Sequence, residues 1–295
     1  MTNVAGTLPP ADRRSAFSNA PMGILLATPT GLLVDVNPAF TRMLGRTLDE
    51  LYGTSVLELI HPDNRQAAVE AYAELVERRR TMRHETRLVR RDGSAVPVQV
   101  TSSWVDGTPE GDPPHVVAII EDITDRKALE AALVHRSLHD PLTGLPNRIL
   151  FNDRLRHALE RGHRERTPTC LLGIDLDGFK QINDQYGHPV GDEVLVAFAE
   201  RLTSVLRSSD TAARVGGDEF SIVCENSART DADALVQRLQ HTVTEPLQID
   251  GVTIPLGMSI GIGTSAGGTD PERAFELLIR EADDAMYADK AARQG

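Results

Sequence analysis

Cysteine is nearly absent: Cys170 and Cys224 are the only two in 295 residues, and they stand in separate segments. That excludes a disulfide framework and fits a reducing compartment. Apolar runs are short, and a stretch such as 23–27 falls far below the length needed to cross a bilayer. Positive charge is in deficit, with 31 Lys and Arg against 43 Asp and Glu, a formal net charge of -12. This balance argues against an electrostatic grip on nucleic acid or on a membrane surface. Residues 1–14, small and polar with Pro9-Pro10, lack the apolar core of a signal peptide. The expected location is the cytoplasm.

What is present suffices for two ordinary domains, since hydrophobic residues make up 40% of the chain and charged residues 25%. Residues 23–27 and 32–37 predict two strands turned at Thr28-Pro29-Thr30-Gly31. Asn37-Pro38 then starts a helix, with Asn as the cap and Pro at the first helical position. A second helix is expected over 67–78, where Val69, Ala73 and Val76 share a face. Residues 86–89, 95–104 and 116–121 predict antiparallel strands, the first two joined at Arg91-Asp92-Gly93. After about residue 140 the pattern changes to alternating helices and strands, including helices over 150–159, 194–206 and 271–291. A buried strand is expected over 170–176, a hairpin over 212–224 and one or two strands over 252–264. That alternation predicts an α/β sandwich.

The first half resembles a PAS domain. The match is carried by Val36-Asn37-Pro38-Ala39-Phe40, Leu44-Gly45, His61-Pro62-Asp63-Asn64-Arg65, Arg90-Arg91-Asp92-Gly93 and Glu121-Asp122-Ile123-Thr124-Asp125. The resemblance implies a five-stranded antiparallel sheet with helices over a ligand-sized pocket. The ligand is unknown. A flavin photoadduct needs a cysteine this half lacks, and the candidate haem ligands are poor: His61 sits in a structural turn, and His84 and His115 read as loop or strand-edge residues. Trp104 reads as a packing residue. Residues 125–138, with Leu129, Leu133 and Leu138, predict a helical connector that either pairs with its copy in a homodimer or is a solvated linker.

Chemistry concentrates in the second half. Arg214-Val215-Gly216-Gly217-Asp218-Glu219-Phe220 places a tight Gly-Gly turn before two acids. Missing side chains there let a phosphate approach the backbone N–H groups. An ordinary acidic hairpin would look similar. The second cluster decides between them: Ile174-Asp175-Leu176-Asp177 ends a buried strand in an acid pair, followed by Phe179-Lys180, Asn183-Asp184, Gly187-His188 and Gly191-Asp192. Carboxylates at a strand end beside a carboxylate-bearing hairpin form an oxygen-rich site suited to Mg²⁺ or Mn²⁺, as used in nucleotidyl transfer.

With these motifs the second half resembles the GGDEF family of diguanylate cyclases. The entry motif is Asp140-Pro141-Leu142-Thr143-Gly144-Leu145-Pro146-Asn147-Arg148, and the tail is Ala282-Asp283-Asp284-Ala285-Met286-Tyr287. The resemblance implies an enzyme that condenses two GTP into cyclic di-GMP and two pyrophosphates, acting as a homodimer. It implies metal binding by Asp175, the Leu176 carbonyl and Asp218, and catalytic roles for Asp218 and Glu219. Asn183 and Asp192 would read guanine, His188 would lie along the ribose or base, Phe179 and Lys180 would take part in substrate binding, and Gly216, Gly217 and Lys290 would contact phosphate. A carboxylate accepting from guanine N1–H and its 2-amino group finds no such donor pair on adenine. Arg207 and Asp210 would bind product at an inhibitory site, an Arg fork being suited to guanine O6 and N7; the plainer reading is a solvated ion pair.

The expected organisation is a flexible N-terminus over 1–14, a PAS sensor over 15–124, the connector over 125–138 and the cyclase over 139–295. The family's Gly-Arg pair after the lysine is missing, with Arg293 a substitute one position early. Two rival readings are a non-catalytic GTP- or cyclic di-GMP-binding regulator and the cyclase part of a longer cyclase/phosphodiesterase. The intact signature opposes the first, and the abrupt stop at Gly295 keeps the second open.

Overall fold

The computed structural model describes residues 10–108, 111–243 and 245–294. The chain divides into two compact units after Ala131.

The first unit opens with α1 (Pro10–Asn19), so the stretch expected to be a flexible N-terminus is helical from Pro10; residues 1–9 lie outside the described residues. There follow β1 (Gly23–Ala27), β2 (Leu33–Val36), α2 (Pro38–Leu44), α3 (Leu48–Leu51) and α4 (Arg65–Arg78). Strands β3 (Met82–Val89), β4 (Ala95–Val105) and β5 (His115–Asp122) complete a five-stranded sheet in the order β2-β1-β5-β4-β3. Every pairing is antiparallel. Asn37 ties the entrance together. It is fully buried, its Oδ1 accepting from Ile24 N and Phe40 N while its Nδ2 donates to the Phe17 and Met22 carbonyls. A buried amide with all its groups satisfied fixes the register of α2 on β1 without a desolvation penalty.

Helix α5 (Thr124–Leu138) begins where Asp122 Oδ1 accepts from Thr124 N. Leu129, Leu133 and Val134 on it are 62%, 57% and 58% exposed.

The second unit comprises α6 (Arg148–Glu165), β6 (Thr169–Asp177), α7 (Phe179–Tyr186), α8 (His188–Ser204), β7 (Thr211–Arg214) and β8 (Glu219–Cys224). It ends with α9 (Arg229–Val243), β9 (Leu247–Ile249), β10 (Val252–Ile254), β11 (Gly257–Ser265) and α10 (Pro271–Gln294). Its four-stranded sheet runs β11-β6-β8-β7, with β9 and β10 as a separate hairpin. Strand β6 is buried along eight of its nine residues because both faces are covered. Leu172, Ile174 and Leu176 pack with Phe198, Leu235 and Leu239 on one side. Leu171 and Val223 pack with Leu155, Leu278 and Ala282 on the other. Cys170 and Cys224 face each other across β6 and β8 as buried free thiols. Burial pushes the Cys170 thiol up to about 11 and the Cys224 thiol further in the same direction.

Candidate active site

Antiparallel register decides which acids meet. Asp175 on β6 lies directly opposite Glu219 on β8, and Gly173 opposite Ser221 two residues below. Opposed residues share a face, and the face of Gly173 is the one against α10, where Ala282 and Met286 lie nearest. Asp175 therefore faces the closing helix, which brings Lys290 to it: Lys290 Nζ donates to Asp175 Oδ1 at 2.6 Å. Asp175 is 7% exposed, so its charge has a partner rather than water. The hydrogen bond to Asp175, then the charges of Asp175, Asp218 and Asp177, hold the Lys290 ammonium above its ordinary value. Only Asp175 touches the ammonium; Asp218 and Asp177 act on it through their charge.

Each remaining acid is positioned by a local contact. Asp177 accepts from Ser259 Oγ at 2.6 Å. Leu176 N donates to the Asp218 carbonyl at 3.2 Å, locking the strand end to the signature turn. In that turn Val215 N donates to the Glu219 carbonyl at 3.0 Å. A Cβ on Gly216 would lie 3.1 Å from Glu219 Cδ and closer still to its carboxylate, so a side chain there would push Glu219 out of its present position. A Cβ on Gly217 would meet nothing within 4 Å, which leaves the turn open on its outer side.

The entry motif holds this hairpin from behind. Arg214 donates to Asp140 Oδ1 at 2.9 Å, and its Nε and Nη2 both donate to the Gly217 carbonyl, at 3.1 and 2.7 Å. Arg148 Nε donates to the Val215 carbonyl at 2.9 Å, and its Nη2 lies 3.8 Å from Glu219. Asp140 also accepts from Thr143 N and Oγ1. Burial acts to raise the Asp140 pKa; the Thr143 N–H, Arg214 and the Thr143 hydroxyl outweigh it and hold the carboxyl below its usual value. The sequence reading assigned neither Arg148 nor Arg214 a role. The signal was their place within the two strongest motifs.

The residues expected to read guanine gather in the notch between α7 and α8. A Cβ on Gly191 would stand 3.0 Å from Asn183 Cγ and 3.3 Å from the Phe179 ring, so both α7 side chains lie against the start of α8, beside exposed Asp192. Lys180 and His188 are exposed. Arg293 pairs with Asp289 at 3.1 Å, a partner on its own helix.

Arg207 and Asp210 are together but not as an ion pair. Asp210 Oδ2 accepts from the Arg207 backbone N–H at 3.0 Å, while Asp210 N donates to the Arg207 carbonyl at 3.0 Å. The turn is closed by its own backbone, and the exposed Arg207 guanidinium has no ion-pair partner among the described residues.

The profile described as "Diguanylate cyclase, GGDEF domain" matches residues 137–295, more than half the chain. The chain belongs to the GGDEF family. A PAS-domain profile matches residues 21–125, so the PAS–GGDEF arrangement and its two folds stand. Among relatives, the bifunctional diguanylate cyclase/cyclic di-GMP phosphodiesterase MucR of Pseudomonas aeruginosa is 43% identical over 52% of this chain and 22% of its own length. The diguanylate cyclase TpbB of the same species is 40% identical over 56% of this chain and 38% of its own. An uncharacterized signaling protein of Caulobacter vibrioides is 32% identical over 96% of this chain, both halves included, and 34% of its own length. The chain therefore spans about a fifth to two fifths of these relatives. Among solved structures, the coiled coil and GGDEF domain of DgcB from Caulobacter crescentus, in complex with c-di-GMP, is similar with TM-score 0.52. It is 27% identical over 57% of this chain and 87% of that one. No helix among the described residues is long and apolar enough to cross a membrane.

The GGDEF donor set fits a hard divalent cation, with one qualification from its geometry. Among the described residues no three His, Cys, Asp or Glu side chains are gathered at metal-binding spacing. Asp175 is drawn to Lys290 and Asp177 to Ser259. Mg²⁺ commonly takes one or two protein carboxylates and completes its shell with water and substrate phosphates, so a metal held on Asp175 would require that carboxylate to leave Lys290.

Proposed function

We propose that this chain is a diguanylate cyclase, converting two GTP into cyclic di-GMP and two pyrophosphates as a homodimer, with its PAS half as the controlling sensor. The observation that carries the reading is the cross-strand pair Asp175 and Glu219 with Asp218 and Lys290 at one end of the two central strands, above a turn opened by Gly217. Asp175, the Leu176 carbonyl and Asp218 hold the metal, Mg²⁺ or Mn²⁺, which when bound lowers the cost of the charge developing on the α-phosphate. Asn183 and Asp192 read the guanine edge, flanked by Phe179, Lys180 and His188. Gly216 and Gly217 let the phosphates approach the turn, and Lys290, freed from Asp175, follows them as a point charge.

In each half-reaction the 3′-oxygen of one GTP attacks the α-phosphorus of the other. The bond from that phosphorus to the bridging oxygen breaks, pyrophosphate leaves, and the 3′-proton passes to the Asp218 or Glu219 carboxylate. One GGDEF domain holds one GTP, so two must face each other, and the exposed Leu129 and Leu133 of α5 supply a surface for pairing. Arg207 and Asp210 form the product-binding inhibitory site; the unpaired guanidinium supports this over the ion-pair reading. The working location is the cytoplasm, where GTP is found. The test is incubation with GTP and Mg²⁺. Wild type should yield cyclic di-GMP, while Asp218→Ala and Asp175→Ala should yield none and remain folded. Near-normal turnover in both variants would overturn the mechanism.

A further inference from the structure

The PAS unit encloses a cavity of about 70 Å³ between its sheet and α4, walled mostly by aliphatic side chains. Two polar atoms facing it have no hydrogen-bond partner: His84 Nδ1 and Thr86 Oγ1. They are two residues apart on β3 and so point the same way. Thr86 is 7% exposed, a hydroxyl withdrawn from water without compensation. Tyr72, also on the wall, is already committed, its hydroxyl donating to the Thr28 carbonyl at 2.7 Å. Ser102 is the remaining polar residue of the wall. His84 thus lies on the edge strand of the sheet, the second of the two places its sequence context allows, with its ring on the cavity side.

The volume and the wall restrict what can satisfy these atoms. At 70 Å³ the space is far below the roughly 300–1,000 Å³ of pockets that take drug-sized ligands, so a haem or flavin would not fit without displacing the wall. About two waters would fit by volume and could share His84, Thr86 and Ser102, but the rest of the wall is aliphatic and offers them nothing, whereas an alkyl group fills it. No Lys, Arg, Asp or Glu lines the cavity, so a charged head would be buried unpaired. Burial lowers the His84 pKa, which keeps its ring neutral, able to accept at one nitrogen.

We propose that this cavity binds a small uncharged amphiphile, a short-chain alcohol of about three or four non-hydrogen atoms, whose hydroxyl donates to His84 Nδ1 and accepts from Thr86 Oγ1. The alkyl part fills the aliphatic remainder. The same polar pair and wall disfavour the isosteric carboxylate.

The test uses the full chain with ¹⁵N-labelled histidine, titrated by NMR with 1-propanol and separately with propionate. Binding alone is read, so failure here leaves the cyclase reading untouched, and loss of cyclase activity leaves this one untouched. Expected are a saturable shift of the His84 Nδ1 resonance with 1-propanol and none with propionate. Thr86→Val, which keeps the shape and removes the unpartnered hydroxyl, should fold at least as well and bind 1-propanol roughly three- to tenfold more weakly. Three results each overturn the proposal: no saturation by 1-propanol, equal response to propionate, or unchanged affinity in Thr86→Val. So does a pair of ordered waters that 1-propanol fails to displace.

Discussion

Replacing Asp140 with Asn should loosen the signature hairpin from a distance, because Asp140 reaches the hairpin only through Arg214. The two side chains are 18% and 13% exposed, so neither regains full solvation when the pair is broken. Breaking a fully buried pair costs about 3–5 kcal/mol; residual exposure and the surviving Gly217 contacts bring the expectation nearer 2 kcal/mol. Part of that loss belongs to the hairpin, since Arg214 carries two hydrogen bonds to the Gly217 carbonyl. The assay is a double-mutant cycle of Asp140→Asn and Arg214→Gln, read by native-state hydrogen exchange at the Val215 and Gly216 amides, which donate to the Glu219 carbonyl. A coupling of about 1–2 kcal/mol is expected. pH gives an independent reading. A carboxyl held below its unfolded value of about 3.9 stabilises the fold above that pH, and this contribution is lost as pH falls through the lower folded value. Asp140→Asn should therefore flatten the acid limb of stability below about pH 4. If the two substitutions add to within about 0.5 kcal/mol, the clamp does not exist as described.

Lys290→Met should free Asp175 and tighten Mn²⁺ binding by about two- to fivefold, as befits a pair one third exposed on the lysine side, while raising the KM for GTP; unchanged Mn²⁺ affinity by calorimetry would count against the Lys290–Asp175 exchange. Arg207→Ala should weaken cyclic di-GMP binding by about 1–3 kcal/mol and straighten progress curves that slow in wild type, with initial rates little changed; identical inhibition in both would restore the plain surface reading. Leu129→Glu with Leu133→Glu should lower activity at nanomolar protein and spare it at high concentration, since pairing acts through local concentration; a dilution series with no difference from wild type removes the connector from the mechanism.

Much of the site was legible because its motifs are local. Asp175, Gly216, Gly217, Asp218 and Glu219 could be picked out from two short segments, yet their meeting depends on register, which is set by pairing across 44 residues. Lys290 pairing with Asp175 was not legible at all; both were assigned to ligands, and their mutual attraction emerges only when α10 lies across β6. Helix α7 was missed as an element because it has no side-chain cap and starts from Gly178 in a left-handed conformation. Strand β3 begins at Met82, four residues before the expected start. Arg83 and Glu85 face outward there, and inward His84 breaks the apolar alternation that marks a strand in sequence.

The two thiols have a practical use. Thiol-directed reagents attack the thiolate, and a side chain with a pKa near 11 is ionised to only about one part in ten thousand at pH 7, before its inaccessibility is counted. Both thiols are therefore expected to react only slowly with maleimide, which a labelling time course on this chain checks. A cysteine introduced at exposed Leu133 would be the favoured labelling position, and a spin label there would report whether two α5 helices come together, with both buried thiols left in place.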